Sequence, residues 1–279
     1  MNINQFIKHV SSTGNFSIVD GIWYSESCSE LSYPEDSYNG CFEIEENSFW
    51  FAHRNNCLVS VINKFSPDKL FLDIGGGNGF VTKAIENANI PAVLVEPGKS
   101  GVLNAKKRNL KNIFCGTLNN LNGLTGQIPS IGAFDVIEHV QDDNSFVKEI
   151  YNILSNEGTF FVSVPSFQFL WSDEDTEAGH FRRYSKKKIV QLLKKNNFEI
   201  VYSTYFFSFL TFPLFLIRTL PSKLGMRKKS KIQTQNEHNK SKGFIGTLMN
   251  SIWNWELGRI QNLKSIPFGT SCLIVAKKN

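Results

Sequence analysis

The feature of the sequence that most restricts the fold is a glycine-rich turn. In the stretch LDIGGGNGF (72–80), four glycines lie within five positions, directly after the acid Asp73. Glycine loses more conformational freedom on folding than any other residue, so such a cluster indicates backbone angles or a close approach that a side chain would prevent. An apolar strand that ends in an acid, followed by this turn and a helix, is how parallel sheets hold a nucleotide-like ligand against bare backbone.

Strand and helix patterns alternate from about residue 70 onward. Apolar runs such as AVLVE (92–96) and TFFVSVP (159–165) predict buried strands, and the amphipathic runs between such strands predict helices. We expect one helix to begin after Ser185 as its N-cap and another to stop at Gly158. Repeated strand–helix units predict an α/β fold whose mostly parallel sheet carries helices on both faces.

Two segments lie outside this alternation. Residues 1–68 precede it, and residues 206–266 interrupt it before the final strand, TSCLIVAKK. The sequence therefore divides into an N-terminal extension or lid (1–68), a core (69–205 plus 267–279) and an insertion (206–266). Both outer segments are expected to cover the site that the edge of the sheet carries.

The composition is that of an ordinary globular protein, with 279 residues of which 41% are hydrophobic and 20% charged. We expect no signal peptide, because no N-terminal stretch combines a basic start, an apolar core and a small-residue cleavage site. Five cysteines without a C-x-x-C pair indicate reduced thiols and a cytoplasmic location. A zinc module from Cys28, Cys41, His53 and Cys57 is disfavoured by the long gaps between the first cysteines. We expect His53 and Arg54 instead on an N-terminal helix that covers the ligand site.

Charges are unevenly distributed along the chain. Residues 9–53 contain eight acids and no Lys or Arg, whereas residues 218–242 contain eight Lys/Arg and the single acid Glu237. Both runs are typical of solvated surface. The basic run also fits contact with phosphate or anionic lipid. Nucleic acid is disfavoured as a partner, because the sequence contains no recognisable binding module.

The insertion opens with an apolar, aromatic run. YFFSFLTFPLFLI (205–217) is shorter than the ~20 residues of a membrane-spanning helix and contains Pro213. Basic residues follow at 227–229, an order typical of an in-plane membrane anchor. Three interpretations stay open for residues 206–231: core or acceptor pocket, oligomer interface, and peripheral contact with the inner face of a membrane.

Two common glycine-loop patterns do not fit the turn. The NAD fingerprint G-x-G-x-x-G needs a third glycine, and this chain has Phe80 or Thr82 at that position. A phosphate loop needs G-K-[ST] to close the turn, and that pattern is missing as well. The pattern that remains is D-x-G-x-G-x-G, formed by Asp73, Gly75, Gly77 and Gly79.

With this pattern the chain resembles the class I S-adenosylmethionine-dependent methyltransferases, over residues 70–205 and the final strand. Later motifs fall in the family's order: Glu96 ends the second strand, FDVIEHV ends the fourth, and LSNEGTFFVSVP supplies the fifth. The resemblance implies a Rossmann-like, seven-stranded sheet whose last strand is antiparallel.

The same resemblance implies a site for S-adenosylmethionine. The glycine turn would lie against the cofactor, Asp73 would receive its ammonium group, and Glu96 would accept hydrogen bonds from its ribose hydroxyls. After the third strand, where the family often has an acid or amide for adenine, this chain reads CGTLNN. The expected cofactor-binding residues are Asp73, Gly75, Gly76, Gly77, Gly79, Glu96, Thr117, Leu118 and Asp135.

Longer motifs narrow the resemblance. SFWFAHRN (48–55), DIGGGNGFV, FDVIEHV and VPSFQFLWSDEDTEAGHFRRYS look like those of a bacterial type-11/type-12 methyltransferase subgroup, whose members often lie among cell-surface polysaccharide genes. This implies O-methylation of a sugar, a glycolipid intermediate or another small molecule. Transfer to nitrogen or carbon stays open, as do a non-catalytic scaffold of the same fold and, less favoured, an NAD-dependent reductase.

Two polar clusters follow the fourth and fifth strands, at the edge where such sheets bind ligands. Their members are Asp135, Glu138 and His139 in the pattern D-x-x-E-H, and His180, Arg182, Arg183 and Tyr184 in GHFRRY. The first cluster with a later histidine resembles the metal site of quinone-pathway catechol O-methyltransferases and small-RNA terminal-ribose methyltransferases. That resemblance implies a site for Mg²⁺ or Mn²⁺, or for Zn²⁺, with the ligands Asp135, Glu138, His139 and His180.

Without a metal, His180 or His139 would be the general base, because an imidazole titrates near working pH. Arg182 or Arg183 would anchor an anionic acceptor, or else pair with the nearby acids at 173–175. The candidate catalytic residues are His139, His180, Arg182 and Tyr184.

Overall fold

The computed structural model describes residues 1–12, 16–26, 35–225 and 243–279. Within these ranges the strands are β1 (Phe16–Val19), β2 (Ile22–Ser25), β3 (Phe71–Ile74), β4 (Ala92–Glu96), β5 (Ile113–Cys115), β6 (Ile128–Phe134), β7 (Leu154–Pro165), β8 (Phe198–Phe206) and β9 (Ser271–Lys278). They form one sheet in the order β1-β2-β5-β4-β3-β6-β7-β9-β8.

The predicted seven-stranded sheet is present as β5-β4-β3-β6-β7-β9-β8. Its first five strands in this order pair in parallel. Strand β9 is antiparallel to both of its neighbours, β7 and β8, so the predicted antiparallel last strand is confirmed. Because the carboxyl ends of parallel strands meet at one edge, the turns after β3, β4, β6 and β7 come together there.

The number of strands needs a correction, because the N-terminal extension adds two. Strands β1 and β2 form a hairpin, and β2 pairs in parallel with β5. The hairpin turn is Asp20-Gly21, whose φ angles of 51° and 78° are both positive, as the tightest hairpin turns require. The signal is present in the sequence as an Asp-Gly pair between SIV and IWY. It lies outside the strand–helix alternation from which seven strands are predicted.

Helices lie on both faces of the sheet, as predicted. In the described residues they are α1 (Ile3–Ser12), α2 (Glu35–Glu45), α3 (Phe49–Phe65), α4 (Phe80–Asn87), α5 (Lys99–Lys107), α6 (Asp143–Ile153), α7 (Asp173–Glu177), α8 (Lys186–Lys195), α9 (Thr211–Leu214), α10 (Leu220–Lys223) and α11 (Gly243–Gln261). A π-helical turn, Phe215–Thr219, joins α9 to α10, and short 3-10 helices cover Leu118–Leu124, Ile137–His139, Gln168–Leu170 and Ser208–Leu210.

Alternate residues of the central strands face opposite helix layers. Phe160 and Val162 of β7 belong to a buried cluster that includes residues of α1, α6 and α8. Phe161, between them, belongs to a second cluster with residues of α3, α4 and α11. This period of two, with apolar residues on both faces, is what a sheet covered on both sides requires.

The two predicted helix boundaries have different outcomes. Ser185 is the N-cap of α8, and its hydroxyl accepts a hydrogen bond from a backbone amide of the first turn, as predicted. The stop at Gly158 is wrong, because α6 already ends at Ile153. The chain enters β7 at Leu154 and pairs there with β6, so strand pairing ends the helix before the glycine is reached.

Described parts of the insertion pack on α3. The side chain of Glu256 on α11 is fully buried, and its Oε2 lies 2.7 Å from Nε2 of His53. Glu256 also accepts hydrogen bonds from the amides of Phe207 and Ser208, at 2.8 and 2.9 Å. Although burial would raise it, these hydrogen bonds hold the pKa of the Glu256 carboxyl below its ordinary value. The pair therefore joins α3, α11 and the chain after β8.

Part of what the sequence suggests for the insertion and the cysteines lies outside the described residues, namely the basic stretch 227–229 and Cys28. Of the helices that the structure describes, none is both long enough and apolar enough to cross a bilayer. The described cysteines, Cys41, Cys57, Cys115 and Cys272, form no disulfide.

We predict that Glu256→Ala destabilises the protein by about 3–5 kcal/mol, because it removes one partner of a buried ion pair and leaves His53 and two amides without an acceptor. The measurement is urea unfolding, with Asn254→Ala on the exposed side of the same helix as the control. The control should change the free energy of unfolding by less than about 0.5 kcal/mol. Similar values for the two variants would show that the pair does not hold the insertion in place.

Candidate active site

The glycine turn after β3 has the geometry that its sequence predicts. Gly75, Gly77 and Gly79 have φ angles of 67°, 57° and 72°, in the left-handed region that favours glycine. Gly76 is required for another reason. A Cβ atom there would lie 2.5 Å from Cδ1 of Leu94 and 2.7 Å from Oδ2 of Asp73. The turn therefore lies directly on the Asp73 carboxyl and exposes its own backbone.

Asp73, the last but one residue of β3, is fully buried. Its Oδ2 accepts a hydrogen bond of 2.6 Å from the hydroxyl of Thr82 on α4. Its Oδ1 is also buried and accepts no hydrogen bond from any residue that the structure describes. Burial raises the pKa of Asp73 to about 6, against the lowering effect of the Thr82 hydrogen bond. A buried acceptor with spare capacity fits a cationic ligand group above the turn.

Glu96 ends β4 and is buried beside the turn. Its Oε2 accepts a hydrogen bond from the amide of Gly77 at 2.8 Å. Its Oε1 accepts from the amide of Gly98 at 2.6 Å and from the hydroxyl of Tyr38 at 2.8 Å. The carboxylate predicted to bind ribose hydroxyls is thus held in place by one backbone amide on each oxygen. The hydroxyl of Tyr38 shares Oε1 with the amide of Gly98.

Helix α2, which carries Tyr38, lies against the glycine turn. The side chain of Asn78 in the turn donates a hydrogen bond to the carbonyl of Tyr38 at 2.8 Å. Arg108 forms an ion pair with Glu45 at 2.6 Å and another with Glu46. These contacts are not indicated by the sequence, in which the acid-rich N-terminal run is typical of solvated surface. Part of that run faces the turn and is neutralised by Arg108.

Thr117 and Leu118 follow β5, where the adenine would lie. Thr117 is half-buried and begins a 3-10 helix, with its amide donating to the side chain of Asn120 at 2.8 Å. Leu118 is buried in the core cluster that includes Leu121 and Leu124. A ligand at this position would therefore meet the backbone of Leu118 and the half-buried side chain of Thr117.

Asp135 follows β6 with a positive φ of 58°. Its Oδ2 lies 2.6 Å from Nη2 of Arg54 on α3, and its Oδ1 accepts from the hydroxyl of Ser163 at 3.1 Å. The same Nη2 donates to the carbonyl of Phe134 at 3.0 Å. Arg54 is expected on a helix that covers the ligand site, but its partner is not, because no local pattern links Arg54 to a strand end so far along the chain.

Glu138, His139 and His180 form the metal-competent group of the described residues. One ligand atom from each lies within 4.8 Å of those of the others. Both carboxyl oxygens of Glu138 are buried and accept no hydrogen bond from a described residue. Burial and the charge of Asp135 raise the pKa of Glu138 well above its ordinary value. Asp135, the fourth predicted ligand, does not belong to this group because it pairs with Arg54.

The two histidine rings of this group meet edge to face. Their centroids lie 4.6 Å apart with an interplanar angle of 80°. Burial and the neighbouring His180 lower the pKa of His139 to about 4, so this ring is neutral at physiological pH. A neutral imidazole is the form that binds a metal or accepts a proton.

His180 is oriented by a buried acid. Its Nδ1 lies 2.7 Å from Oδ1 of Asp175 on α7, and that oxygen also accepts from Nε of Arg183 at 2.7 Å. Although burial would raise it, the hydrogen bonds from His180 and Arg183 hold the pKa of Asp175 below its ordinary value. The predicted pairing of an arginine with one of the acids at 173–175 is confirmed for Arg183 and Asp175. Its contact with His180 is not indicated by the sequence.

The other two catalytic candidates, Arg182 and Tyr184, both contact Asp143 and not Asp175. Nη1 of Arg182 is 2.9 Å from Oδ2 of Asp143, and the hydroxyl of Tyr184 donates to the same oxygen at 2.7 Å. Tyr184 is buried in the core cluster that includes Ile189. The structure therefore brings His139 and His180 together and joins Arg182 and Tyr184 to the start of α6.

The strand order, the acid–glycine turn and the acid at the end of β4 together define the class I methyltransferase fold. A family model described as a methyltransferase domain matches residues 50–203, which is more than half of the chain. The chain belongs to this methyltransferase family, which confirms the class indicated by its motifs.

A probable S-adenosylmethionine-dependent methyltransferase of Mycolicibacterium smegmatis is 24% identical to this chain over 160 residues. The match covers 56% of this chain and 62% of that protein, so this chain spans less than two thirds of its relative.

Solved structures share the fold. A methyltransferase of Thermotoga maritima, described as a possible histamine N-methyltransferase, superposes with a TM-score of 0.52 and 18% identity, over 88% of this chain and 95% of that chain. Phosphoethanolamine N-methyltransferase 2 of Haemonchus contortus, in complex with S-adenosylhomocysteine, superposes with a TM-score of 0.54 and 15% identity, over 88% of this chain and 58% of that chain.

We predict that Glu96→Gln weakens binding of S-adenosylmethionine about 10- to 100-fold, because a hydrogen bond to a charged group contributes roughly 1.5–3 kcal/mol. Titration calorimetry measures the affinity. Tyr38→Phe is the matched control, since it removes a hydrogen bond to the same carboxylate without removing the charge, and it should bind at least as tightly as the unchanged chain. Equal affinity of Glu96→Gln and the unchanged chain would remove Glu96 from the cofactor site.

We also predict that affinity for S-adenosylmethionine depends on pH through Asp73. With a pKa of about 6, Asp73 is ionised above that pH and can pair with an ammonium group. Below that pH the Asp73 carboxyl is protonated and must lose its proton before it can pair with the ammonium group. The Kd should therefore rise about tenfold for each pH unit below the pKa. Calorimetry from pH 5 to pH 8 tests this. Asp73→Asn should bind weakly with no such dependence, and a flat profile for the unchanged chain would contradict the assignment.

Proposed function

We propose that this chain transfers the methyl group of S-adenosylmethionine to a hydroxyl group of a small acceptor, with His180 as the general base. The observation that carries the proposal is the 2.7 Å contact between the buried Asp175 carboxylate and Nδ1 of His180. Both residues lie in the stretch that follows β7, and the ring of His180 contacts that of His139 in the cluster after β6. A base is needed because a hydroxyl must lose its proton as it attacks.

The residues of the cofactor half supply binding and orientation. The left-handed glycines expose backbone, and Oδ1 of Asp73 is buried without a partner among the described residues. With the cofactor bound, Glu96 would accept hydrogen bonds from its ribose hydroxyls and Asp73 from its ammonium group. The bound cofactor supplies a methyl group that is already activated by its sulfonium. The protein therefore has mainly to align the acceptor and to exclude water.

The residues of the acceptor half hold and move a proton. Asp175 accepts a hydrogen bond from Nδ1 of His180, which fixes the tautomer and leaves the lone pair of Nε2 for the acceptor. Arg183 shares Asp175 and holds the carboxylate ionised. Trp171 is half-buried with its ring centroid 6.5 Å from that of His180, where it would form a wall of the acceptor pocket. Asp175 is thus a positioning residue for His180.

A second form of the proposal includes a divalent cation. Glu138, His139 and His180 fit such an ion, because their ligand atoms converge and the buried Glu138 oxygens have no other partner among the described residues. Mg²⁺ or Mn²⁺ would hold the acceptor hydroxyl there and lower its pKa. His180 would then be a ligand through Nε2 and Asp175 its supporting acceptor.

For the acceptor we propose a sugar, a glycolipid intermediate or another small hydroxyl compound, in keeping with a role in polysaccharide biosynthesis in the cytoplasm. The support is the resemblance of the longer motifs to enzymes among such genes. Residues 1–68 would cover the cofactor through α2, and residues 206–266 would cover the acceptor side.

We predict that His180→Asn lowers kcat about 100-fold or more, because a positioned base contributes roughly 10²–10⁴. Release of S-adenosylhomocysteine with a panel of sugar acceptors measures turnover, and calorimetry should show unchanged cofactor affinity. Asp175→Asn should also lower kcat with little change in KM. Full turnover of His180→Asn would exclude His180 as the base.

The cation is tested separately by Mn²⁺ titration calorimetry without acceptor or cofactor. One ion per chain is expected, and Glu138→Gln should weaken its binding about 10- to 100-fold. Glu157→Gln is the control, because Glu157 is an exposed acid near the start of β7, at the opposite edge of the sheet, and its loss should leave Mn²⁺ affinity unchanged. The absence of Mn²⁺ binding to the unchanged chain would leave His180 acting without a metal.

A further inference from the structure

The segment from Phe209 to Leu224 carries an apolar face that points into solvent. It comprises α9, the π-helical turn and α10. Its exposed apolar side chains recur every three or four residues, so they form one helical stripe rather than scattered exposures. The stripe consists of Phe209, Phe212, Leu216, Ile217, Leu220 and Leu224, with exposed fractions from 38% to 70%. We call it the apolar stripe.

The segment is oriented the opposite way from an ordinary surface helix. Thr219 is its buried residue, and the Thr219 hydroxyl donates to the carbonyl of Leu170 at 3.0 Å. A helix normally turns its apolar side to the core and its polar side to water. Contiguous exposed apolar surface of this kind marks a site of interaction.

The apolar stripe continues into a groove. A cavity of about 550 Å³ lies beside Phe209 and Phe212 and is otherwise lined by Phe169, Ser208, Thr211, Phe215 and Phe268. Phe169 and Phe268 are about half exposed, at 50% and 52%. On the other side, the ring of Phe209 meets that of Trp255, itself 49% exposed, at 5.9 Å. The apolar surface is therefore wider than one helix.

The segment that carries the stripe has basic residues and no acid of its own, and the acid Asp173 lies on the loop beside it. The sequence contains no Asp or Glu between Glu199 and Glu237, whereas Arg218 and Lys223 lie on the segment itself. Nζ of Lys223 donates to the carbonyl of Phe169 at 3.2 Å, which places a cation at the margin of the groove. A segment whose exposed side chains are aromatic and aliphatic, and whose own charges are the cations Arg218 and Lys223, complements a surface that is apolar inside and anionic outside.

We propose that the apolar stripe seats this protein on the surface of an anionic lipid bilayer. The helix lies in the plane of the interface, with its Phe and Leu side chains among the acyl chains and with Arg218 and Lys223 at the headgroups. Each cation near an anionic leaflet adds attraction that salt screens. This docking goes beyond the proposed methyl transfer and does not depend on which acceptor is methylated.

The docking surface is tied to the loop that carries the candidate base. Besides the contacts of Thr219 and Lys223, the amide of Asp173 donates to the hydroxyl of Ser222 at 3.1 Å. These three contacts join the segment to the stretch from Phe169 to Asp173, directly before Asp175 and His180. Docking therefore brings the pocket loop to the membrane surface, within reach of an acceptor that is held in the bilayer.

Vesicle flotation of the whole chain tests the proposal. The unchanged chain should float with vesicles of phosphatidylcholine and phosphatidylglycerol, and less with phosphatidylcholine alone. Leu216→Asp/Ile217→Asp should lower partitioning at least about tenfold, because it places charge where acyl chains would lie. The matched control is Leu103→Asp, which changes a leucine that is 50% exposed on α5 and should float like the unchanged chain. About 1 M salt should weaken binding, since the Debye length falls to ~3 Å.

Equal flotation of the double variant and the unchanged chain would overturn the proposal, as would equal binding to neutral and anionic vesicles. If light scattering showed that the unchanged chain is a dimer and the double variant a monomer, a second copy of the chain, not lipid, would cover the stripe. Calorimetry with S-adenosylmethionine should give the same Kd for both variants and the unchanged chain, which excludes misfolding. Because flotation involves no turnover, its failure leaves the proposed methyl transfer untouched.

Discussion

The rest of the site depends on a carboxyl group buried beneath a backbone turn. Asp73 lies at the end of β3 with the glycine turn directly above it, and a Cβ at Gly76 would occupy the space of its Oδ2. Thr82, on the helix that the turn starts, supplies a hydrogen bond to the same oxygen. Strand, turn and helix are therefore fixed relative to one another by one buried group. The remaining Asp73 oxygen gives the site its capacity for a cation.

Buried ion pairs then attach the outer segments to this edge of the sheet. Arg54 of α3 pairs with Asp135 after β6, and Arg108 pairs with Glu45 of α2 above the turn. His53 pairs with Glu256 and so binds the insertion to α3. A buried charge without its partner is strongly destabilising, so each pair favours a single arrangement of the segments it joins. The edge of the sheet that carries the glycine turn is in this way covered by parts of the chain outside the alternation of strands and helices.

The acceptor half is built differently. Its polar groups come from loops after β6 and β7, and they are organised by Asp175, which holds His180 and Arg183 together. The same loop is bound to the segment that carries the apolar stripe. In the proposed function the cofactor half accounts for the class of reaction, and these loops and the insertion would determine which acceptor is held.

The sequence by itself determined the parts of the molecule that are encoded locally. The glycine turn, the acids at the ends of β3 and β4, the cap of α8 and the succession of core strands and helices along the chain all depend on neighbouring residues, because backbone angles, strand period and helix capping act over a few positions. Only the tertiary structure decided that Tyr38 meets Glu96, that Arg54 binds at the end of β6 and that His53 pairs with Glu256, across 58, 80 and 203 positions. These side chains are buried when the helix layers pack on the sheet, and a buried polar group is stable only with a partner. Because the partners are far apart in the sequence, no local pattern indicates them.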